Sequence, residues 1–449
     1  MRLNSSQLAL PTVDKQPSNP SNSQANKLDS QDRAFHDWYR FVLSYPPHLV
    51  RSYLAEFGLG PGQTVLDPFC GTGTTLVEAK RQRIAGVGLE ANPFPQFAST
   101  VKLDWQVDPE VLAQRAREIA RQAHLALLAQ GIDDAAPFFG AGSKLSLRTL
   151  DPEAQKLLIT NSISPLPLHK VLVLLDFLNG HRDERYYKHA LLALANALVF
   201  SISNLRFGPE VGVGKQRADA PVLALWLAEV DKMAGDLRQV AGETYPSSHV
   251  LLADARQAAD LLEPNSIDAV ITSPPYPNEK DYTRTTRLES VITGLIKNRT
   301  DLRALKQHLV RSNTRAVFKN DDDDIWIRQY PEIERIATAI DQRRIELDKT
   351  SGFEKLYARV TRLYFGGMAR HFTELTHVLR PGAHLAYVVG DQASYFRVMI
   401  RTGELLASIA QAIGYELVRI DLFRTRFSTA TKEQLREEVV VLRWPGAKP

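Results

Sequence analysis

The feature that most constrains the fold is an apolar strand that runs into a glycine turn at Val65–Thr75, which reads VLDPFCGTGTT. TLVEAKRQ continues from the turn with helical spacing of its apolar residues, and RIAGVGLE then forms a second apolar strand that ends at Glu90. A strand, a glycine turn, a helix and a second strand make one half of a Rossmann-like unit. The segment therefore predicts an open α/β sheet whose turn faces a nucleotide-like ligand.

A second strand and turn spans Asp268–Asn278, where DAVITSPPYPN places Ser, Pro, Pro and Tyr after an apolar run. Between the two segments, residues 101–248 show helical periodicity with little strand signal, and charged helices interrupt the pattern again over 296–351. Near the carboxyl end, ELVRIDLF and EEVVVLRW predict a closing pair of strands. We therefore predict an α/β fold: a doubly wound, Rossmann-like sheet with a terminal antiparallel hairpin, interrupted by mostly helical insertions.

This alternation divides the chain into four predicted parts. Residues 1–33 are rich in Ser, Asn, Gln and Pro and are expected to form a disordered tail, because that composition cannot offset its ordering entropy. The sheet domain comprises residues 34–100, 249–295 and 352–449, and residues 101–248 and 296–351 are the two insertions.

Composition excludes several classes of site. Cys70 is the single cysteine of the 449 residues, so no intrachain disulfide and no cysteine-based zinc cluster can form, and we expect a reducing cytoplasm and no metal. The formal charge of +4 permits a nucleic-acid partner without requiring one. Neither a membrane-spanning run nor a signal peptide is evident, so no membrane partner is expected.

The first segment and its neighbours carry the features of a ligand site. Gly71 and Gly73 let the backbone approach a ligand closely, and the following helix presents its positive end. Glu90 ends the next strand, where an acid can accept hydrogen bonds from both hydroxyls of a ribose. Asp254 ends the strand HVLLAD, and two roles stay open for it: a bond to an adenine amino group, or a cap on the helix over ARQAADLL.

DPFCGTGTT resembles the S-adenosylmethionine-binding motif D-P-F-x-G-[ST]-G-T-T of amino-group DNA methyltransferases, and it matches at all nine positions. SPPY resembles the catalytic motif of that family, and SYPP at Ser44–Pro47 resembles a motif that closes over the methionine carboxylate. The resemblance implies S-adenosyl-L-methionine as the cofactor. With the strand tips above, the predicted cofactor-binding residues are Tyr45, Pro46, Asp67, Pro68, Phe69, Cys70, Gly71, Thr72, Gly73, Thr74, Thr75, Glu90, Ala91, Asp254, Ala255 and Ser273.

The SPPY tetrapeptide suits methyl transfer to an aromatic amine, whose lone pair is delocalised into its ring. The Ser273 hydroxyl and the Pro274 carbonyl can each accept one N–H, which directs the lone pair at the incoming methyl group. Pro275 has no N–H to compete for these acceptors, and Tyr276 offers a ring on which the base can stack. Direct displacement on a flipped base needs no nucleophilic cysteine, whereas cytosine C5 methylation does, and Cys70 lies in the wrong turn.

By resemblance, serine at the first position of the catalytic motif is most common among enzymes that methylate N4 of cytosine. We therefore favour N4-cytosine methylation over N6-adenine methylation, which stays open as the alternative. A third reading, of a different class, is a specificity subunit that binds S-adenosylmethionine or DNA without catalysis.

Double-stranded DNA is the expected partner, a cognate restriction endonuclease system is a further one, and the oligomeric state is open. The first insertion is the candidate target-recognition region, although its loop Asn204–Val222 also fits a plain surface loop. The second insertion is a candidate DNA-contacting region, and its Asp321–Asp324 run is interpreted as a solvated turn because it lacks the spacing of a calcium loop. The DNA-binding candidates are Arg206, Lys215, Arg217, Asp281, Tyr282, Arg284, Arg311, Asn313, Arg315, Arg424 and Arg426.

Overall fold

The computed structural model describes residues 28–40, 44–136, 146–208, 210–427 and 433–446. Residues 1–27 of the predicted tail lie outside this part of the chain. The tail prediction is wrong for its last residues, because Asp32 is 4% exposed and its carboxylate pairs with Arg51 at 2.8 Å. A buried ion pair therefore fastens the chain to the folded body before Ala34.

A seven-stranded sheet with the order β5-β2-β1-β6-β7-β9-β8 forms the centre of the molecule. Strands β5, β2, β1, β6 and β7 are parallel, and β9 runs antiparallel to both β7 and β8. This arrangement confirms the predicted fold class, including the terminal hairpin; β3 and β4 form a separate antiparallel ribbon. The strands of the described residues are β1 Thr64–Asp67, β2 Ala85–Glu90, β3 Leu205–Phe207, β4 Val211–Val213, β5 Ser248–Leu252, β6 Ile267–Thr272, β7 Leu379–Gly390, β8 Glu416–Phe427 and β9 Gln434–Arg443.

Helices flank this sheet and fill both insertions. None of the helices that the structure describes is both long and apolar enough to cross a membrane. The α-helices within the described ranges are α1 Pro47–Glu56, α2 Thr74–Arg81, α3 Pro93–Leu103, α4 Pro109–Leu128, α5 Pro152–Gln155, α6 Pro165–Asn179, α7 Tyr187–Ala197, α8 Val222–Val240, α9 Ala258–Leu261, α10 Tyr282–Thr285, α11 Arg287–Ile292, α12 Arg299–Gln307, α13 Pro331–Glu346, α14 Tyr357–Val378 and α15 Thr402–Ile413.

Both faces of the central strands of the sheet are buried, whereas the edge strands β5 and β8 are partly exposed. Successive side chains of a strand point to opposite faces, so Val65 packs with the cluster under α1 and α2, while Leu66 packs with the cluster under α14 and α15. Burial on both faces explains why the central strands read as continuous apolar runs rather than alternating ones.

The first insertion is predominantly helical, as its periodicity predicts, and carries the β3–β4 ribbon. Helices α4, α6, α7 and α8 share one hydrophobic core, in which Trp226 is fully buried and donates its indole N–H to the Ala190 carbonyl at 2.8 Å. Phe94 of α3 belongs to the same core, so the insertion packs directly against the sheet-flanking helices. The division of the chain into domains stays a prediction.

Two of the four aspartates of the second insertion, Asp321 and Asp323, are not part of a solvated turn, whereas Asp322 and Asp324 are exposed as predicted. Asp321 pairs with Arg311 at 2.8 Å, and Asp323 is 4% exposed and pairs with Arg256 and with Arg370. The prediction fails for these two acids because each pairs with a buried guanidinium, Arg311 from the same insertion and Arg256 from the segment after β5. Among the described residues, no group of three or more His, Cys, Asp or Glu side chains is arranged to hold a metal ion.

Two helical glycines provide a test of this packing. A β-carbon at Gly366 of α14 would overlap the backbone carbonyl of Asp323, whereas a β-carbon at Gly235 of α8 would meet no atom within 4 Å. We expect Gly366→Ala to destabilise the protein by about 1–3 kcal/mol or more, because backbone cannot move aside as a side chain does. Gly235→Ala should stabilise it by up to about 1 kcal/mol, the difference in helix propensity.

Urea unfolding of the wild type and both variants measures these changes. Equal effects of the two substitutions would contradict the packing of Asp323 against α14.

Candidate active site

A cavity of about 380 Å³ opens at the carboxyl ends of the parallel strands. Because parallel strands end at the same edge of a sheet, it brings together the glycine turn after β1, Glu90 after β2, Asp254 after β5 and the SPPY loop after β6. The predicted site residues that line it are Tyr45, Pro68, Phe69, Cys70, Gly71, Thr72, Thr74, Glu90, Ala91, Asp254, Ala255, Ser273, Pro274, Pro275, Tyr276, Tyr282, Asn313, Arg424 and Arg426.

The glycine turn is held in a conformation that L-side chains rarely adopt. Gly71 has φ 49° and Gly73 has φ 82°, and a β-carbon at Gly73 would overlap the Ser99 hydroxyl. The Gly71 N–H donates to the Glu90 carboxylate at 2.9 Å. A hydrogen bond within the protein therefore joins the glycine turn to Glu90.

Asp67 is fully buried behind the residues that line the cavity and does not line it itself. Its carboxylate accepts hydrogen bonds from the Tyr45 hydroxyl at 2.8 Å and from the Thr272 hydroxyl at 2.6 Å. Burial raises the pKa of Asp67 to about 6. Gly73, Thr75 and Pro46 also lie behind the cavity surface, and Thr75 donates to the Ile271 carbonyl at 3.1 Å.

Glu90 is one of the acids that line the cavity. One carboxylate oxygen accepts the Gly71 N–H and the other accepts the Asn92 N–H at 2.8 Å. Burial raises the pKa of Glu90 to about 7, and the hydrogen bonds from these two backbone groups oppose the rise. Each oxygen retains a lone pair for a hydroxyl donor.

Asp254 lines the cavity and also caps the turn that follows it. Its carboxylate accepts the backbone N–H of Arg256 at 2.9 Å and pairs with the guanidinium of the same residue. Arg256 in turn pairs with Asp323 of the second insertion. The capping role that the sequence left open is present, at a residue that lines the cavity.

The SPPY loop is held in place by neighbouring strands and by the second insertion. The Ser273 hydroxyl donates to the Val388 carbonyl at 3.0 Å, so its oxygen is left to act as an acceptor. The Tyr276 N–H donates to the Tyr282 hydroxyl at 3.3 Å. Burial raises the pKa of the Tyr276 phenol, which therefore stays neutral at physiological pH.

The second insertion, which the sequence predicted only as a DNA-contacting region, also contributes a wall of the cavity. The Ser312 carbonyl accepts the backbone N–H groups of Asn278 and Glu279 at 3.2 and 3.3 Å, just after the SPPY loop. No local pattern marks this segment as part of a site, because only the long-range contact brings it there. The lining residues that the sequence did not identify are Ser44, Leu89, Asn92, Pro95, Ala253, Asn278, Lys280, His308, Leu309, Val310, Ser312, Val388, Phe423 and Glu437.

The DNA-binding candidates separate into distinct environments. Arg311 is wrongly predicted: its guanidinium is 4% exposed, pairs with Asp321 and donates to backbone carbonyls, so it has no surface to offer DNA. Asp281 is also wrongly predicted, because it caps α10 and pairs with Lys306 at 2.9 Å. Outside the cavity lining, Arg284 is half-buried and the exposed candidates are Arg206, Lys215, Arg217 and Arg315.

Cys70 has the properties of a packing residue. Its thiol is 5% exposed, and burial raises the pKa well above its usual value. A thiol kept protonated is a poor nucleophile. The environment of Cys70 thus agrees with a reaction that needs no covalent intermediate.

A family model described as DNA methylase, N6_N4_Mtase, matches residues 14–95, which include the glycine turn and Glu90. The Type II methyltransferase M.BsoBI of Geobacillus stearothermophilus is 26% identical over 94% of this chain and 85% of its own length. The Type II methyltransferase M.AvaI of Nostoc sp. is 22% identical over 94% of this chain and 88% of its own length. These matches support an amino-group DNA methyltransferase.

The solved structure of TrmN from Thermus thermophilus aligns with 92% of this chain and 52% of that chain, at 13% identity and a TM-score of 0.29. A superposition this weak adds nothing to the strand order described above.

Arg311 and Arg315 allow the contribution of a buried arginine to stability to be compared with that of an exposed one. We expect Arg311→Ala to destabilise the protein by about 3–5 kcal/mol, because it leaves the Asp321 carboxylate buried and unpaired. Arg315→Ala should change the stability by no more than about 0.5 kcal/mol, since the side chain is exposed. Urea unfolding measures both values, and a stable Arg311→Ala variant would contradict the buried pair.

Proposed function

We propose that this amino-group DNA methyltransferase transfers a methyl group from S-adenosylmethionine to N4 of a cytosine that has been rotated out of duplex DNA. The observation that carries the proposal is the single cavity shared by the glycine turn, Glu90 and the SPPY loop. A cofactor and an amine that meet in one enclosed space are already oriented for reaction, which accounts for a large part of the barrier in such transfers.

The residues at one end of the cavity fit the cofactor. Thr72 lines the cavity, and its hydroxyl oxygen is buried with no hydrogen-bond partner among the described residues. A buried polar atom without a partner is costly unless a ligand satisfies it. Thr72, with the turn at Gly71, would hold the methionine part, and Glu90 would accept the ribose hydroxyls; the bound cofactor supplies an electrophilic methyl group.

The residues of the SPPY loop prepare the amine. Because the Ser273 hydroxyl already donates to Val388, its oxygen accepts an N–H of the amine, and the Pro274 carbonyl accepts the other. Both acceptors draw the nitrogen away from conjugation with its ring. The Tyr276 ring provides a face for the base, and its neutral phenol introduces no charge beside the reacting nitrogen.

The substrate follows from the depth of the site. A base inside a duplex cannot reach Ser273, so the nucleotide must leave the stack. Ser at the first position of the catalytic motif favours cytosine N4 over adenine N6. The Type II designation of both relatives supports a role as the methylating partner in a restriction–modification system.

Nucleoside mass spectrometry after incubation with S-adenosylmethionine and DNA should detect N4-methylcytosine with the wild type. Ser273→Ala should lower kcat by about a hundredfold or more, because it removes an acceptor that acts on the reacting nitrogen, while cofactor affinity stays unchanged. Ser266→Ala, before the same strand, is the matched control and should retain full activity. N6-methyladenine as the product, or full activity of Ser273→Ala, would contradict the proposal.

Cofactor binding should depend on pH through Glu90, whose pKa lies at about 7. A protonated carboxyl loses the charge that attracts the cationic cofactor, so the affinity should fall about tenfold between about pH 8 and about pH 6. Glu90→Gln should bind more weakly at the higher pH and lose this dependence.

Glu289 is the matched control, because burial raises its pKa to about 7 as well, yet it does not line the cavity. Calorimetry should show that Glu289→Gln keeps the wild-type affinity and pH profile. An unchanged profile in Glu90→Gln would remove Glu90 from the cofactor site.

A further inference from the structure

A row of three residues crosses the edge of the cavity on neighbouring strands. Gly390 of β7 pairs in register with Glu437 of β9, and Glu437 pairs in register with Arg424 of β8. The Glu437 carboxylate accepts the Arg424 Nε–H at 2.6 Å. Because Glu437 is 8% exposed, this ion pair is partly desolvated and holds the guanidinium in one orientation.

Gly390 brings the catalytic tyrosine against this row. A β-carbon at Gly390 would lie 3.2 Å from Cε2 of Tyr276 and 3.3 Å from Cγ of Glu437. The charges of Glu437 and Arg424 both act on the Tyr276 phenol, the first raising its pKa and the second lowering it. Tyr276, Glu437 and Arg424 all line the cavity, so the guanidinium that Glu437 holds faces the same space as the ring on which the flipped base would stack.

The neighbouring cations are less suited to reading the base. Arg426 donates to the Asp391 carbonyl at 3.2 Å and to the Gln392 side chain at 3.3 Å, just after β7, and its Nε lies 3.6 Å from the Glu437 carboxylate, so both its Nε and one Nη are engaged within the protein. Lys280 lines the cavity and presents a single point charge rather than a fork of donors. Arg424 uses Nε for Glu437, and a guanidinium so bound still has the donors of its two Nη nitrogens.

Cytosine and adenine differ beside their amino groups. Cytosine presents the N3 and O2 acceptors next to N4, whereas adenine presents N1 and then a C–H. A guanidinium can donate to both acceptors of cytosine at once, and opposite adenine one donor would be left unpaired.

We propose that Arg424, oriented by Glu437, is the specificity-determining residue that donates hydrogen bonds to N3 and O2 of the flipped cytosine. This inference rests on the proposed function, since it assigns the base recognition of that same site. Glu437 acts as a positioning residue through Arg424, and Gly390 provides the space that lets Tyr276 reach the pair.

Arg424→Ala should lower kcat/KM on a duplex that the wild type methylates by about tenfold to about a hundredfold, the range for one bidentate contact to a base. Arg424→Lys should recover part of the loss, because the lysine ammonium keeps the charge and can still donate hydrogen bonds but lacks the planar fork that Glu437 orients. Arg419→Ala is the control: Arg419 lies on the same strand, pairs with Glu56 outside the cavity and should leave kcat/KM unchanged.

A change in the substrate separates base recognition from a contact with the DNA backbone. In a duplex whose target cytosine has N3 replaced by C–H, the wild type should lose about tenfold or more in kcat/KM. Arg424→Ala, which lacks the donor, should methylate both duplexes at the same rate. Equal kcat/KM values of the wild type on the two duplexes would overturn the inference. An equal loss of kcat/KM in the wild type and in Arg424→Ala would overturn it as well.

The identity of the methylated nucleoside distinguishes a failure of the Arg424 inference from a failure of the proposed function. N6-methyladenine in place of N4-methylcytosine overturns both, whereas N4-methylcytosine with equal losses overturns Arg424 alone. Cofactor affinity, measured by calorimetry for each variant, verifies that the Arg424 substitutions leave the fold intact.

Discussion

The buried carboxylate of Asp67 is the interaction on which the two halves of the site depend. It ends β1 and accepts the hydroxyl of Thr272, the last residue of β6, directly before Ser273. It also accepts the Tyr45 hydroxyl, which lies over the start of α2. One carboxylate therefore fixes the spacing between the glycine turn and the catalytic loop, and removal of either hydroxyl leaves a buried acceptor with fewer partners.

The second insertion completes this arrangement from the opposite side. The Ser312 carbonyl holds the backbone after the SPPY loop, and Arg256 connects Asp254 at the cavity to Asp323. The inserted segment thus contacts both the catalytic end and the end that would bind the cofactor. An insertion that appeared in the sequence as a break in the sheet forms a wall of the cavity, so its removal would expose the reacting groups to water.

The sequence-based predictions were most accurate for features that a short local pattern encodes. The strand–turn segments at Val65–Thr75 and Asp268–Asn278 determine the sheet edge, and the period of the apolar residues identifies the helices of the first insertion. Predictions that required tertiary contacts failed, as Arg311 and Asp321 show: each resembles a surface residue, yet they bury one another. A charged residue's environment depends on a partner that only the fold supplies, so polar clusters such as Asp321–Asp324 cannot be placed from spacing alone.

Burial of carboxyl groups in and around the site lowers the stability of the folded protein near neutral pH. Burial raises the pKa of Asp67 to about 6 and the pKa values of Glu90, Glu289 and Glu438 to about 7, whereas these acids have values near 4 in an unfolded chain. The folded protein therefore binds these protons more tightly than the unfolded chain, and the stability that they contribute is lost as the pH rises through about 7.

The cofactor-binding role that we propose for Glu90 requires the opposite state, because only the ionised carboxylate attracts the cation and offers all its acceptors. Protonation of Glu90 thus favours the folded state but would weaken cofactor binding. Glu289 has a similarly raised pKa without lining the cavity, so the raised pKa alone does not distinguish Glu90; a buried acid that also lines the cavity is the pattern expected of a functional site.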